Sequence, residues 1–215
     1  MLNRNNEALT EPKIRVAVLV SGGGTNLQAI LDAAHSGMIH SAEVVLVVSS
    51  QPGVYALERA KRAGVPSAVL RKQELGGQAG FETALLELLR AYRVDLIVLA
   101  GFLSILSNDF TSQYDHRILN VHPSLIPSFC GKGFYGLKVH EAALSRGVKV
   151  TGATVHFVNE IPDGGEILAQ KAVEILPDDT PETLQRRVME QAEWKLLPAA
   201  VESVSAQMLE NRKDR

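Results

Sequence analysis

The sequence predicts an α/β protein: a mostly parallel sheet of about seven strands, helices on both faces, and an antiparallel hairpin near the C-terminal edge. Three observations lead there. Near-continuous apolar runs alternate with amphipathic helical patterns through the first two thirds of the chain, as right-handed βαβ units require. Near residue 150 the alternation gives way to two strand-like runs separated by a short turn-rich segment, which argues for a hairpin. The 215 residues, 46% of them hydrophobic, suffice for one domain with a sizeable core. We place it at 13–205, between flexible polar tails at 1–12 and 206–215.

The elements follow in order. IRVAVLV (14–20) reads as a buried strand, and TNLQAILDAAHSG as a helix with Leu27, Ile30, Leu31 and Ala34 at helical spacing and Gly37 as its stop. EVVLVVS (43–49) is a second strand. VYALERAKRAG is a helix ending at Gly64, and VPSAVL a third strand. Residues 79–92 form an amphipathic helix through Phe81, Leu85, Leu88, Leu89 and Tyr92. DLIVLA (95–100) and RILNVH (117–122) are the fourth and fifth strands. TGATVHFV (151–158) and EILAQKAVEI (166–175) make the hairpin. A long helix closes the domain from Thr180, with Thr180 as its cap and Pro181 at its first position.

Charge narrows the function classes. With 22 basic and 24 acidic residues the net charge is −2, and no basic block is long enough to track a phosphate backbone, so nucleic acid is not an expected partner. The longest apolar stretch, around Val94 to Leu106, is interrupted by Asp95 and Ser104 and is too short to span a bilayer. MLNRNNEALTEPK lacks the apolar core of a signal peptide. Cys130 is the only cysteine, which excludes an internal disulfide and suits a reducing compartment. The expected location is the cytoplasm.

Ser21-Gly22-Gly23-Gly24-Thr25-Asn26 falls where the first strand meets the first helix. Glycines there allow a ligand close to the backbone, and the helix N-terminus offers unpaired N–H groups that suit a phosphate. A P-loop would need a lysine that is absent. A dinucleotide fingerprint would need a third glycine where Leu27 stands, and an acidic residue where Ser49-Ser50-Gln51 follow the second strand. NAD is disfavoured and NADP less firmly so. A single phosphate group on a small substrate remains, beside the plain alternative of a tight turn with no ligand.

Asn120 and His122 end the fifth strand, two residues apart and so on one face. Pro123 holds His122 extended and Pro127 stiffens the loop beyond. In an open α/β sheet this is the rim where ligands bind, although a lone histidine at a strand end is more often a structural, hydrogen-bonded residue. Asp163-Gly164-Gly165 lies between the two late strands, where Asp-Gly is also an ordinary hairpin turn. If the hairpin packs beside the fifth strand, Asp163 approaches His122, stabilises its cationic form and can take up a proton. His35, His40, His116, His122, His140 and His156 show no metal-ligand spacing, so no metal is expected. His156, in mid-strand, reads as structural. Neither Cys130 nor Ser124 carries a nucleophile signature.

VAVLVSGGGTNLQAIL, VLAGFLSILS, ILNVHPSLIPSF and TGATVHFVNEIPDGGEILAQ, in that order, resemble the phosphoribosylglycinamide formyltransferase family, folate-dependent enzymes of purine synthesis. The likeness runs from about residue 14 to about 198. It implies a Rossmann-like sheet of seven strands with one antiparallel. It also implies transfer of a formyl group from 10-formyltetrahydrofolate to the amine of glycinamide ribonucleotide. The small-molecule substrates would be that phosphoribosyl amine and the folate, and the enzyme a monomer or homodimer.

The resemblance assigns residues as well. Asn120, His122 and Asp163 match the catalytic trio. Gly24, Thr25, Asn26, Leu27 and Gln28 match the loop that holds the ribose phosphate, and Glu190 and Glu193 fall near the positions that touch the amine substrate. Arg71, the segment Leu103, Ser104, Ile105, Leu106, and Asn120 match folate contacts, with His140 where the family often has a histidine near the site. Ser104 stands where relatives often carry arginine. The loop SFCGKGFYG (128–136) is longer than in the shortest relatives, its glycines suggest a mobile site mouth, and the likeness makes Ile126–Pro127 a candidate cis bond. Two related activities share the Asn-x-His logic. A 10-formyltetrahydrofolate hydrolase would be expected to carry a further N-terminal domain, and a methionyl-tRNA formyltransferase an RNA-binding C-terminal extension. A non-catalytic NADP- or nucleotide-binding module would have no need of the trio.

Overall fold

The structure, a computed structural model, describes residues 12–214. The expected tail at 1–12 therefore lies outside the described residues, apart from Pro12. Seven strands form one sheet: β1 Ile14–Val20, β2 Ala42–Ser49, β3 Ser67–Val69, β4 Leu96–Leu99, β5 Ile118–His122, β6 Val150–Phe157 and β7 Ile167–Glu174. Their spatial order is β3-β2-β1-β4-β5-β6-β7. β6 alone runs antiparallel, pairing that way with both β5 and β7. The fold class agrees with the sequence reading, including its single reversed strand.

Alternation along β1 explains why the sheet is buried on both faces. Val16, Val18 and Val20 point to one side, where they meet Leu27 and Ile30 of α1 (Thr25–His35) and Leu197 and Val201 of α7 (Trp194–Lys213). Ala17 and Leu19 point to the other, against Phe81, Leu85 and Leu89 of α3 (Gln78–Ala91). Strands covered on both faces read as unbroken apolar runs, and IRVAVLV does. Burying each such Val or Leu contributes about 1.5–3 kcal/mol.

The remaining helices are α2 (Tyr55–Arg62), the short α4 (Asn108–Thr111), α5 (Leu137–Arg146) and α6 (Pro181–Val188). Thr180 caps α6 reciprocally with Thr183, and Pro181 opens it. Three features depart from the sequence reading. α5 was not among the expected elements. Its buried face is Val139, His140 and Ala143, too small and too polar to give a clear apolar period. The closing helix is interrupted by a π-helical turn, Met189–Glu193, shortly before Pro198; a proline within a helix removes one ladder hydrogen bond and crowds the preceding turn. Residues 206–213, expected as a flexible tail, continue α7 to Lys213, with Met208 and Leu209 packed on the core.

The chain runs outward from β1 to β2 and β3, then returns to lay β4 on the other side of β1. The strand order reverses between β1 and β4, so the loops after these strands diverge and leave a crevice at their carboxyl ends. β5 ends beside it. Among the described residues no helix is long and apolar enough to cross a membrane.

Candidate active site

The crevice holds two adjoining cavities. The larger, about 430 Å³, runs from the Gly22–Asn26 turn past Asn120, His122 and Asp163 to Glu193. The smaller, about 120 Å³, is walled by Leu103–Leu106 and by Asn159–Pro162. Phe102, Leu103, Asn120 and Asp163 line both. Of the expected catalytic residues, Asn120 and Asp163 thus lie where the cavities meet, and His122 lines the larger one.

At the first end the strand-to-helix turn is built from backbone. Gly24 precedes α1 in the left-handed region, φ 72°, and a Cβ there would stand 2.7 Å from the Cβ of Ala56. Only glycine meets both conditions. Gly22 and Gly23 face open space. Among the described residues no side chain caps α1, and no acid occupies its first turn, so its leading N–H groups have no side-chain acceptor there. Thr25 and Asn26 also line the cavity. Leu27 instead is fully buried in the core. Gln28 sits on the outer side of α1, accepting from Arg59 Nη1 at 2.8 Å, and lines a separate cavity behind the helix. Neither joins the crevice.

Asn26 Nδ2 donates to Glu193 Oε2 at 2.7 Å, across the floor of the larger cavity. Complete burial pushes the Glu193 carboxyl up to about 7, against the opposing pull of that hydrogen bond. Glu190 is turned away and half exposed, paired with Arg186 at 2.9 Å. In an α-helix residues three apart share a face; the wider π-helical turn spreads them, and the cavity receives only Glu193.

At the junction, β5 and β6 place Asn120 directly opposite His156, and His122 opposite Thr154. His156 Nδ1 donates to the Phe157 carbonyl at 2.7 Å, which leaves Nε2 to accept from Asn120 Nδ2 at 3.1 Å. That bond fixes the Asn120 amide. Thr154 Oγ1 donates to the Ser124 carbonyl at 2.7 Å and accepts from Ile126 N at 3.1 Å, holding the loop whose Ile126–Pro127 bond is cis. His122 is buried. Its Nε2 lies 2.8 Å from the Phe129 carbonyl and its Nδ1 3.6 Å from Asp163 Oδ2.

Asp163 occupies the β6–β7 turn at φ 57°, a region aspartate tolerates better than most residues. A Cβ at Gly165, two residues on, would overlap the Phe157 carbonyl. Asp163 thus sits in the turn and lines the crevice at once. Asp163 Oδ1 lies 3.5 Å from Asn120 Nδ2 and 3.7 Å from His156 Nε2, and Oδ2 accepts from Gly131 N at 2.8 Å. Burial works to raise its carboxyl, but the nearby His122 and the hydrogen bond from the Gly131 amide outweigh that and hold it below the usual carboxylate range. The 128–136 loop is therefore more than a site mouth: its backbone contacts both His122 and Asp163.

The other expected residues divide. Leu103, Ser104, Ile105 and Leu106 line the smaller cavity. Arg71 is paired with Glu74 and lines neither cavity. His140 also lines neither. It is wholly buried, both ring nitrogens have no hydrogen-bond partner among the described residues, and burial, then the nearby His122, lower its pKa to about 4. His156 was read as structural from the sequence alone. Only the pairing of β5 with β6 could have placed it beside Asn120, and a strand sequence does not state its register. Gln185 and Met189 also face the larger cavity, from a helix whose π turn had no visible signature.

A family model described as formyl transferase matches residues 14–201. The chain belongs to the formyl transferase family. Among its relatives is the phosphoribosylglycinamide formyltransferase of Haemophilus influenzae, 42% identical over 187 residues, which cover 87% of this chain and 85% of the relative. The trifunctional purine biosynthetic protein adenosine-3 of Gallus gallus is 45% identical over 194 residues, 90% of this chain, yet the chain spans only 19% of that protein. A solved structure, glycinamide ribonucleotide transformylase 1 from Symbiobacterium toebii, superposes with a TM-score of 0.85 at 42% identity, covering 91% of this chain and 89% of the other. Family membership accords with the order of motifs from Val16 to Gln170.

Proposed function

We propose that this protein transfers a formyl group from 10-formyltetrahydrofolate to the primary amine of glycinamide ribonucleotide, a step of purine synthesis, in the cytoplasm. The observation that carries the reading is that Asn120 and Asp163 line both cavities, with His122 beside them in the larger one, and that the smaller has an apolar wall. The phosphate of the ribotide lies on the Gly22–Asn26 turn, its amine points toward Glu193 and the junction, and the folate enters along Leu103–Leu106. The names of the Haemophilus and Symbiobacterium relatives support the same substrate.

The chemistry follows from the geometry. The amine lone pair attacks the formyl carbon, a C–N bond forms, and the carbonyl electrons move onto oxygen. Asn120 Nδ2, fixed by His156, and the protonated edge of His122 that faces Asp163 donate to that oxyanion. The new ammonium gives up its proton toward Asp163, directly or through water. Collapse re-forms the carbonyl and breaks the bond to folate N10, which takes up the proton passed to Asp163, directly or through water, and leaves as the neutral amine. Holding both substrates at one junction replaces a bimolecular encounter with an intramolecular one.

The test is to mix purified protein with glycinamide ribonucleotide and 10-formyltetrahydrofolate and assay formylated product by mass. Formylated ribotide is expected. Loss of the formyl group at an undiminished rate with the ribotide omitted would instead mean hydrolysis, and no consumption of the folate would reject formyl transfer.

A further inference from the structure

The Leu103–Leu106 segment, the wall of the smaller cavity, is poorly anchored by packing. Leu103 is 64% exposed and Ile105 60%; only Leu106 is buried in the core. Polar contacts hold the segment in place. At its start, Leu103 N donates to Ser21 Oγ at 3.0 Å. At its end, everything converges on Glu82, a buried carboxylate on α3 that touches neither cavity. Ser107 N donates to Glu82 Oε1 at 2.7 Å and Ser107 Oγ to Oε2 at 2.6 Å. Gln78 Nε2 bonds Glu82 Oε1 as well, and donates to the Ile105 carbonyl at 3.1 Å. Ser107 Oγ also accepts from Phe110 N at 3.3 Å as the cap of α4, which leaves its proton for Glu82.

We infer that Glu82, together with Gln78, is a positioning residue that sets the wall of the formyl-donor cavity. Three donors meet at one side chain, and a carboxylate accepts at both oxygens. An amide of the same size keeps one neutral acceptor for Ser107 N and Gln78, but it puts an N–H where Ser107 Oγ donates, so the hydroxyl must turn round and lose its charged acceptor, and the latch weakens. With the latch open, Ile105 and Leu106 lose their fixed place, while the glycine turn, Glu193 and the catalytic trio keep all their own contacts. The effect is therefore one-sided: the wall that the folate meets moves, and the ribotide end does not.

This inference rests on the proposed reaction, and the test separates the two. Steady-state kinetics of the Glu82→Gln variant are measured with each substrate varied in turn, beside the unsubstituted protein. The expected result is a KM for 10-formyltetrahydrofolate raised about tenfold, equivalent to about 1.4 kcal/mol, with the ribotide KM and the kcat at saturating folate each within about twofold. A Gln78→Ala variant, which removes the tie to Ile105 but leaves Ser107 on Glu82, should shift the folate KM in the same direction by a smaller factor, and it stands in if Glu82→Gln does not fold. An unchanged folate KM in the folded variants, or both KM values rising together, overturns the inference. Failure of the unsubstituted protein to formylate the ribotide would count against the proposed function instead.

Discussion

At one end of the crevice, residues 22–26 present backbone from a single strand-to-helix turn. At the other, Asn120 and Asp163 meet across 43 positions of sequence, brought together by an antiparallel strand and its turn. The first end is made by conformation: a left-handed glycine, open glycine faces and an uncapped helix. The second is made by side chains whose donors and acceptors are assigned by neighbours, His156 for Asn120 and the Gly131 amide for Asp163. An anion site of the first kind travels with a short motif. A catalytic centre of the second kind exists only when the topology is complete.

The comparison can be broken from either side. The largest effect should come at the side-chain end. His122→Ala removes a donor to the oxyanion and should lower kcat by roughly 10² or more, the scale for losing one such donor, with both KM values little changed; single-turnover kinetics under saturating substrates would check it. Next comes the backbone end. Gly24→Ala must adopt a positive φ and push against Ala56, so denaturant unfolding should show a loss of about 1–3 kcal/mol, with the ribotide KM raised and the folate KM unchanged.

The smallest effect sharpens the border between the two ends, at Glu193. Its folded pKa is raised, so the native protein holds a proton that the unfolded chain has released. The stabilisation this gives is fully present below the carboxylate's ordinary range and is lost as pH rises through about 7. On the proposed reading, over the same window the residue becomes the anion that would pair with the substrate amine. The ribotide KM should therefore fall with rising pH through about 7, by up to roughly tenfold between about pH 6 and about pH 8 if it follows the ionised fraction. Glu193→Gln should flatten that dependence and melt no lower than the unsubstituted protein at about pH 8. A KM profile of the same shape in the variant would remove Glu193 from amine recognition.

How much could be read from the sequence follows the same division. The sheet was legible because β1, β2 and β4 are covered on both faces and read as apolar runs, and the glycine turn because it is contiguous. Asn120 and His122 were visible from their spacing and Asp163 from its turn. Resemblance, more than geometry, joined them. The rest turned on pairing or local geometry that the letters do not state. His156 required the β5–β6 register, Glu190 and Glu193 were separated by a π-helical turn, and α5 hides a small polar face around His140. Arg71 was assigned by likeness, and its guanidinium pairs with Glu74 three residues on. Residues 206–213 looked like a polar tail because most of their side chains are exposed, yet Met208 and Leu209 hold that end of α7 on the core.

The central claim is that His122 and Asp163, 3.6 Å apart, act as one unit on the transferred group. A double-mutant cycle on kcat tests it most directly, using His122→Ala, Asp163→Asn and the pair together. If they work as a unit, the double variant is no more than about threefold slower than His122→Ala alone, because the proton path through Asp163 has already lost its partner. If the two losses multiply, the residues act independently, and the account of a catalytic centre assembled across the β5–β6 junction is wrong.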